Sequence, residues 1–507
     1  MCVVAACVAE RGPFTNRMAQ SATSYLARAA RQPVDWQPWS RDAFALAAKL
    51  DRPVLLYIGG DACHWCTETD RAIYTDPEIG SLINALFVPV RVDRDERPDV
   101  ARRYQVAVER LAGLQGWPLT VFLTADGGPF FGGTYFPADD PITGRGLKQI
   151  LPEVARSYRE NRAFVIQHAA LVRQLAAGDP AHGVLQRAPL QAEIARLRTE
   201  LSAALAGGPG EGGGTRLSSV MHVEAVSVLL AEFARENDST ALATARAALD
   251  LFLEPESSRA ATTAGAPGGV RREDPPRLVQ AALLRALAKA WVVTGDVRYR
   301  ERGRELAGRI ARELRGGDRP LFADQEGYVI EAVLHSAATF GDAAAERRAT
   351  MALDGVLQRM YARGWGVRHA AAGSVHRLLQ DQVQVAAACL AAHHASGDRR
   401  YLDVARDLAA VIERDYGDSL GGYYDRMEPD PAAPALSDRS KPVFDDMLPG
   451  GNAWAARMLL RLAEATGDVR YRRRAEAALE SIAGAVPGAG IRAAAFLGSA
   501  REVLASR

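Results

Sequence analysis

Two kinds of apolar pattern divide the chain near residue 145. Before that point, short apolar runs typical of buried strands alternate with stretches whose apolar residues recur every three or four positions, as in helices. The strand-like runs lie at 53–58, 85–93 and 119–123, and the helix-like stretches at 41–50, 65–74, 76–86 and 98–111. Asp126-Gly127-Gly128 then turns the third run into a hairpin. This order predicts an α/β fold with a mixed sheet.

After residue 145, nearly all of the apolar periodicity is helical. The predicted helices lie at about 147–177, 189–205, 217–236, 240–254, 276–293, 298–314, 343–362, 379–395, 400–415, 451–465 and 470–484. A glycine-rich stretch at 207–214 and a low-complexity stretch at 260–269 are predicted loops. The second part of the chain is therefore predicted to be all-α.

A short motif recurs between these helices. Its copies are Thr294-Gly295-Asp296-Val297-Arg298-Tyr299, Ser396-Gly397-Asp398-Arg399-Arg400-Tyr401 and Thr466-Gly467-Asp468-Val469-Arg470-Tyr471, with a degenerate copy at Asn237-Asp238-Ser239. The glycine can end one helix in a left-handed conformation, and the aspartate can cap the next helix. We therefore predict helical hairpins with Tyr299, Tyr401 and Tyr471 at equivalent positions. Their irregular spacing favours a closed toroid over an open solenoid.

Composition and charge exclude some functions. The chain has 507 residues and a formal net charge of +1, so bulk electrostatics indicate neither a nucleic-acid partner nor an anionic membrane. No apolar run approaches the roughly 20 residues of a membrane span. Residues 1–15 lack the basic start and long apolar core of a signal peptide, and we expect a disordered tail. Five cysteines do not form a disulfide framework, so we expect a cytoplasmic protein.

The candidate chemistry lies in Cys63-His64-Trp65-Cys66, which follows a predicted buried strand and opens a predicted helix. This is the context of a thioredoxin-type redox motif. At a helix N-terminus, unpaired backbone N–H groups and the helix dipole favour a thiolate, so Cys63 is the expected nucleophile. Cys66 lies one turn later and can resolve a mixed disulfide. His64 and Trp65 can tune the thiolate and shape its approach.

A second element of this site is Gly116-Trp117-Pro118, directly before the third predicted strand. Thioredoxin folds carry a cis-proline here, facing the cysteine motif. We therefore predict a cis Trp117-Pro118 bond and pairing of the adjacent backbone with an incoming peptide. Trp65 and Trp117 can form an apolar rim.

Other interpretations of the cysteines remain open. Zinc would need two further ligands, and no second cysteine pair or histidine pair has suitable spacing. A structural relic is a further alternative to a redox site. Cys389 lies in an apolar helical stretch and is expected in the core. We expect no metal and no organic cofactor.

The motifs together resemble the spermatogenesis-associated protein 20-like (DUF255) family. The resemblance rests on Asn16-Arg17, Tyr25-Leu26, Pro33-Val34-Asp35-Trp36, Cys63-His64-Trp65-Cys66, 92–99, 116–123 and Gly133-Thr134-Tyr135-Phe136-Pro137. It implies a thioredoxin-like domain at 16–180, followed by an (α/α)6 six-hairpin glycosidase-like toroid at 185–507. The family's activity is poorly defined, so the resemblance implies architecture more than a reaction.

Departures from the family bear on the toroid. Thr67 stands where a histidine usually follows the cysteine motif, and two family stretches of the toroid have no counterpart. Candidate toroid residues are Asp381, Asp425, Asp445, Asp446 and Asn452. Paired carboxylates at a toroid mouth would indicate a sugar hydrolase or epimerase, whereas solvated caps and loop charges would not.

Three functions follow from these patterns. The first is a thiol–disulfide oxidoreductase acting on a protein client, with a toroid of binding or vestigial type. The second is a carbohydrate-active toroid with a regulatory thioredoxin domain and a sugar as ligand. The third is a non-catalytic client-binding scaffold.

Overall fold

The structure is a computed structural model of the chain. It describes residues 14–140, 142–143, 145–176, 180–206, 219–253, 275–314, 321–371, 376–430, 432–433 and 438–506. Residues 1–13, which include Cys2 and Cys7, lie outside these ranges, as do both predicted loops. The chain divides into two compact units, the first formed by Met1–Gly178 and Glu428–Arg439, the second by Asp179–Met427 and Ser440–Arg507.

The first unit contains a mixed five-stranded sheet. Its strands are β1 (Gln37–Pro38), β2 (Val54–Gly59), β3 (Val88–Asp93), β4 (Leu119–Leu123) and β5 (Pro129–Gly133). They lie in the order β1-β3-β2-β4-β5, with β3 parallel to β1 and β2, and β4 antiparallel to both β2 and β5. The predicted mixed α/β sheet is confirmed. The three inner strands β3, β2 and β4 are buried along their whole length, as is typical of continuous apolar runs.

Helices surround this sheet. They are α1 (Ser24–Arg28), α2 (Arg41–Leu50), α3 (His64–Thr69), α4 (Pro77–Leu86), α5 (Pro98–Ala112), α6 (Leu147–Glu160) and α7 (Arg162–Ala176). A π-helical turn, Asp70–Tyr74, continues α3. The predicted single helix at 147–177 is wrong, because the chain leaves the helical conformation at Asn161 and starts again as α7.

The segment Glu428–Arg439 belongs to the first unit although it lies far along the sequence. Asp430 forms an ion pair with Arg97 and accepts a hydrogen bond from Trp39 Nε1 at 3.0 Å. Ala433 is fully buried in the apolar cluster on one face of the sheet, and Gly127 leaves the space that it occupies. Sequence periodicity had not assigned this segment to the first unit, since a short irregular stretch carries no apolar period.

Besides helices, short 3-10 or π turns and loops, the described part of the second unit contains two two-residue strands, β6 (Tyr361–Ala362) and β7 (Gly366–Val367). Its main helices are α8 (Arg187–Ala206), α9 (Val220–Glu236), α10 (Ser239–Leu253), α11 (Arg277–Thr294), α12 (Val297–Glu313), α13 (Ala323–Phe340), α14 (Ala343–Met360), α15 (Leu379–Ser396), α16 (Arg399–Val411), α17 (Gly451–Thr466), α18 (Val469–Glu480) and α19 (Ala494–Ala505).

These helices form a closed double ring. The inner helices α9, α11, α13, α15, α17 and α19 pack in that order, and α19 packs back on α9. The outer helices α10, α12, α14, α16 and α18 each pack on the inner helix that precedes them in the chain, and α8 packs on α19 and α9. The prediction of an (α/α)6 toroid is therefore confirmed.

The predicted hairpin motif joins inner to outer helices. Gly295, Gly397 and Gly467 end inner helices with φ near +70°, and each following aspartate caps the next helix by accepting a hydrogen bond from a backbone amide. Tyr299, Tyr401 and Tyr471 are each the third residue of an outer helix, as predicted. Asn237 and Gly341 adopt the same left-handed conformation at two further hairpins.

Two inner helices were absent from the sequence prediction, α13 and α19. The sequence Asp324-Gln325-Glu326-Gly327-Tyr328 lies in the first two turns of α13. Gly327 is needed there because a Cβ would lie 2.7 Å from a backbone carbon of Gln384 on α15. Helices buried on nearly every side lose the amphipathic pattern on which the prediction depended.

Candidate functional site

Cys63 and Cys66 lie at the junction of β2 and α3. Cys63 is the N-cap residue of α3, and its Sγ accepts a hydrogen bond from the backbone N–H of Cys66 at 3.1 Å. The two cysteines form a disulfide with their Cα atoms 5.2 Å apart. Any negative charge on Cys63 would therefore face a backbone donor and the positive end of a short helix.

The two sulfur-bearing residues differ in access to solvent. Cys63 keeps 8% of its surface exposed and Cys66 keeps none. Of the two cysteines, only Cys63 has surface open to solvent. This asymmetry suits an attacking and a resolving cysteine.

The floor beneath Cys66 is made of aromatic side chains. Tyr57 on β2 is fully buried, and its hydroxyl donates to the Cys66 carbonyl at 3.4 Å. Tyr25 on α1 lies beside the same cysteine, at the point where β2 ends in Gly59. A fully buried Arg91 on β3 completes this floor, with its guanidinium 4.3 Å and 5.1 Å from the ring centres of Tyr25 and Tyr57.

The side chains around the motif form an exposed aromatic edge. Trp65 is 47% exposed and lies 5.5 Å from the ring of His64 and 6.2 Å from that of Tyr135. Trp117 is half-buried against the cluster that holds both cysteines, with the Arg94 guanidinium 5.2 Å from its ring. Tyr135, which sequence reasoning had not selected, lies with Trp65 at this exposed edge.

The Trp117-Pro118 peptide bond is cis, as predicted, and Pro118 is buried at the start of β4. In the sheet, β4 is paired along both of its edges, with β2 on one side and β5 on the other. Gly116 and Trp117 precede this paired strand.

Asp93 is a buried carboxylate next to this site. It ends β3 and stands opposite Gly59 in the sheet register. Burial, with repulsion from Asp95, raises the pKa of Asp93 to about 7. Its Oδ1 accepts a hydrogen bond from the Asp95 backbone at 2.9 Å. Sequence analysis had quoted this residue only as part of a family motif.

Two of the toroid candidates hold a loop in place. Asp425 accepts from the backbone and hydroxyl of Ser440 at 3.1 Å and 3.0 Å, and its own backbone N–H donates to the Ser440 carbonyl. Asn452 is fully buried and exchanges hydrogen bonds with the backbone of Tyr423 at 2.8 Å and 2.9 Å. The polar side-chain atoms of Asp425 and Asn452 thus bind backbone and side-chain groups of the same loop region.

Asp445 and Asp446 lie in the loop before α17. Asp445 is buried and accepts from the backbone amides of Gly450 and Ala495 at 2.7 Å and 2.8 Å. Burial raises the pKa of Asp445 to about 7. Asp446 is half-buried, and its backbone N–H donates to Leu448.

Asp381 belongs to a buried cluster with two residues that sequence analysis had not selected for chemistry. Its carboxylate lies 2.7 Å from His369 Nδ1 and accepts from the Leu378 backbone at 2.9 Å. Asp324 Oδ1 lies 3.9 Å from the same His369 nitrogen. Among the described residues, Asp324, His369 and Asp381 form a set with donor atoms close enough to hold a metal ion. The pairing of His369 with Asp381 also satisfies both groups as a hydrogen-bonded pair.

No helix in the described part of the chain combines the length and apolar character that crossing a membrane requires.

A comparison with protein families matches the N-terminal part of the chain. Residues 15–176 match the family model Thioredox_DsbH, described as a protein of unknown function, DUF255. The rat spermatogenesis-associated protein 20 is 38% identical over 157 residues, which are 31% of this chain and 20% of that protein. The uncharacterized protein B0495.5 of Caenorhabditis elegans is 35% identical over 174 residues, 34% of this chain and 24% of its own length. The chain thus matches about a fifth to a quarter of these relatives' lengths.

Among solved structures, an unsaturated glucuronyl hydrolase specific for heparin aligns with a TM-score of 0.45 at 14% identity, over 63% of this chain and 97% of its own. The resemblance to the spermatogenesis-associated protein 20-like (DUF255) family, inferred from the sequence motifs, is confirmed over residues 15–176.

Proposed function

We propose that this chain is a thiol–disulfide oxidoreductase whose reacting groups are Cys63 and Cys66. The observation that carries the proposal is their geometry. The two sulfurs are within bonding distance, Cys63 caps a helix, and Cys63 alone retains exposed surface. A thiolate on Cys63 would be favoured by the helix terminus, and Cys66 would be shielded from the client.

The exchange balances without any cofactor. The Cys63 thiolate attacks a client disulfide, forming a Cys63–client disulfide and releasing one client thiolate. The Cys66 thiolate then attacks Cys63 Sγ, which forms the Cys63–Cys66 bond and releases the second client thiolate. The two protons lost from the cysteine pair go to the two client thiolates. Run in reverse, the same steps oxidise a client dithiol.

The proposed client is a protein or peptide with an accessible cysteine, in the cytoplasm. The exposed rings of Trp65 and Tyr135 beside Cys63 would contact apolar side chains flanking that cysteine. The backbone before Pro118 would pair with its extended chain. Such a rim restricts access and would make exchange selective and slow.

For the toroid, we propose a binding role toward a client or small ligand rather than sugar chemistry. In support, the carboxylates of Asp425 and Asp445 accept backbone hydrogen bonds within their own chain. A carbohydrate-active toroid, the alternative, would retain full sugar turnover in a Cys63→Ser variant, and detection of that turnover would contradict the proposal.

The redox proposal is tested with 5,5′-dithiobis(2-nitrobenzoate), whose coloured thiolate reports each exchange step. In a Cys2→Ser, Cys7→Ser background, the reduced chain should release one thiolate on attack by Cys63 and a second on resolution by Cys66. Cys63→Ser should abolish the fast release. Cys66→Ser should stop after one release and leave a stable mixed disulfide.

Cys389→Ser is the matched control, because this cysteine is fully buried in the helical unit. It should leave both releases unchanged. We expect the pH dependence of the first thiolate release to give a Cys63 pKa below the free-cysteine value of about 8.5. A pKa at or above that value, with no disulfide formed under mild oxidant, would indicate a relic site and a scaffold function.

A further inference from the structure

Tyr25 belongs to a sequence motif that the proposed function has not used. It lies in α1, whose first turn is fixed by the Thr23 side chain accepting from the Leu26 backbone. The side chain is 1% exposed, and its hydroxyl has no hydrogen-bond partner among the described residues. A buried hydroxyl without a partner is costly and calls for an explanation.

The hydroxyl lies beside the resolving cysteine. A Cβ built on Gly59 would meet Tyr25 Oη at 2.3 Å and Cys66 Sγ at 3.0 Å, so both atoms border the same small space at the end of β2. Only glycine at position 59 leaves that space open. In the oxidised form, the Cys66 sulfur is bonded to Cys63 and offers only a weak acceptor.

We infer that Tyr25 donates a hydrogen bond to the Cys66 sulfur in the reduced and mixed-disulfide forms and so stabilises the resolving thiolate. This inference rests on the proposed function and adds to it a residue that acts on the second step. The Cys66 thiol loses its proton before it attacks Cys63 Sγ, and the departing client thiolate takes one up. Tyr25 remains neutral throughout.

The surroundings of Tyr25 fix its ring and keep its hydroxyl protonated. The Arg91 guanidinium lies 4.3 Å from the ring centre and forms two hydrogen bonds with the Asp70 carboxylate, at 2.7 Å and 2.6 Å. Burial, opposed by Arg91 and reinforced by Asp70, Asp93 and Tyr74, raises the pKa of Tyr25 far above its ordinary value. These ionisable groups face Tyr25 from β3, from the turn after α3 and from the sheet end. The hydroxyl is therefore a donor at every pH at which exchange is measured.

Tyr25→Phe tests the inference in the full reduced chain. The variant removes an unpartnered hydroxyl and keeps the ring, so we expect it to fold. A hydrogen bond to a charged acceptor is worth about 1.5 to 3 kcal/mol, which corresponds to a rise of about one to two units in the Cys66 pKa. The pH profile of the second thiolate release should shift upward by that amount. The first release, due to Cys63, should keep its profile.

The rate of the second thiolate release provides an independent test of the inference. Below the Cys66 pKa, each unit of increase lowers the thiolate fraction about tenfold but raises intrinsic nucleophilicity about threefold. At pH 7 the second release should therefore slow about threefold per unit, while at a pH above both pKa values the variant should be the faster protein. Lost packing alone would not reverse the order of the two rates.

Tyr57→Phe is the matched control, because that hydroxyl contacts the Cys66 carbonyl and not its sulfur. It should leave the second-release profile unchanged. An unshifted profile in Tyr25→Phe would overturn the inference, as would equal shifts in both phases or in both variants. If the wild-type chain shows no second release, the proposed function itself has failed, which is a different result.

Discussion

At the scale of residues, the end of β2 and the end of β3 define the site. Gly59 and Asp93 face each other in the register, one leaving space for a sulfur and a hydroxyl, the other placing a carboxylate in the interior. A buried carboxylate that Arg91 does not pair, next to a second acidic group at Asp95, holds its proton more tightly than in water.

Asp93→Asn should change how stability depends on pH. Burial raises the Asp93 pKa from 3.8 to about 7, so between those values the folded chain holds a proton that the unfolded chain has lost. The free energy of unfolding of the wild type should therefore fall as pH rises from about 4 to about 7, by up to about 4 kcal/mol. Asparagine cannot ionise, so the variant should lack this fall.

Urea unfolding of both proteins at pH 4.5 and pH 8 measures the difference. Asp42→Asn serves as the control, because Asp42 is an exposed residue in the first turn of α2. If the difference in free energy of unfolding between Asp93→Asn and the wild type is the same at both pH values, the Asp93 carboxylate does not titrate as described.

At the scale of elements, the same N-cap hydrogen bond recurs at the hairpin turns of the toroid. Asp398 accepts from the Arg400 backbone at 2.9 Å at the start of α16. Asp398→Ala should lower the free energy of unfolding by about 1 kcal/mol, through loss of this cap. Asp403→Ala removes a carboxylate from the exposed face of the same helix, where its contact with Arg406 spans 4.0 Å, and should cost much less.

Thermal unfolding of these variants provides the comparison. If Asp398→Ala and Asp403→Ala lower the free energy of unfolding equally, the effect is due to removal of a negative charge from the helix and not to loss of the cap.

Local patterns predicted the elements that leave a short-range signal in the sequence. The strands β2 and β4, the amphipathic outer helices and the capping turns follow from runs, periods and Gly-Asp pairs within a few residues of each other. The inner helices α13 and α19 did not, because side chains buried on almost every side leave no period to detect. Tertiary packing, not propensity, makes them helical.

The candidate site divides in the same way. Cys63, Cys66 and Pro118 follow from motifs, since a helix start and a proline before a strand are local features. Tyr25 and His369 could be placed only through space. Each comes from a different element than its partner, Cys66 or Asp381, and the sequence separations carry no spacing rule.

At the scale of the whole molecule, charged side chains lie in the interior of the toroid. Glu331 on α13 is fully buried and lies 2.8 Å from Arg285 on α11 and 2.5 Å from Arg461 on α17. Arg285 also pairs with Glu224 on α9 and lies against the rings of Tyr328 and Trp454. Four inner helices thus share one ionic network across the ring.

Glu331→Gln should be strongly destabilising for the toroid. The two arginines hold the pKa of Glu331 far below its usual range, against the effect of burial, so the residue is an anion at neutral pH. Removing that charge leaves the buried Arg285 guanidinium and the half-buried Arg461 guanidinium under-compensated, at a cost of about 3–5 kcal/mol. Denaturant unfolding followed by helical circular dichroism measures the loss.

Glu305→Gln is the control, since Glu305 is an exposed residue paired with Arg302 on the surface of α12. A Glu331→Gln variant as stable as this control would show that the network contributes little.

The discontinuous first unit has a consequence for how the protein is made. Arg97 is buried and needs Asp430 as well as Asp99, and Ala433 fills part of the apolar cluster under the sheet. A ribosome that has released residues 1–178 has therefore not yet supplied all of that unit. Its last pieces emerge only after most of the toroid has been translated. The first unit therefore stays incompletely packed until a segment some 250 residues later has been made.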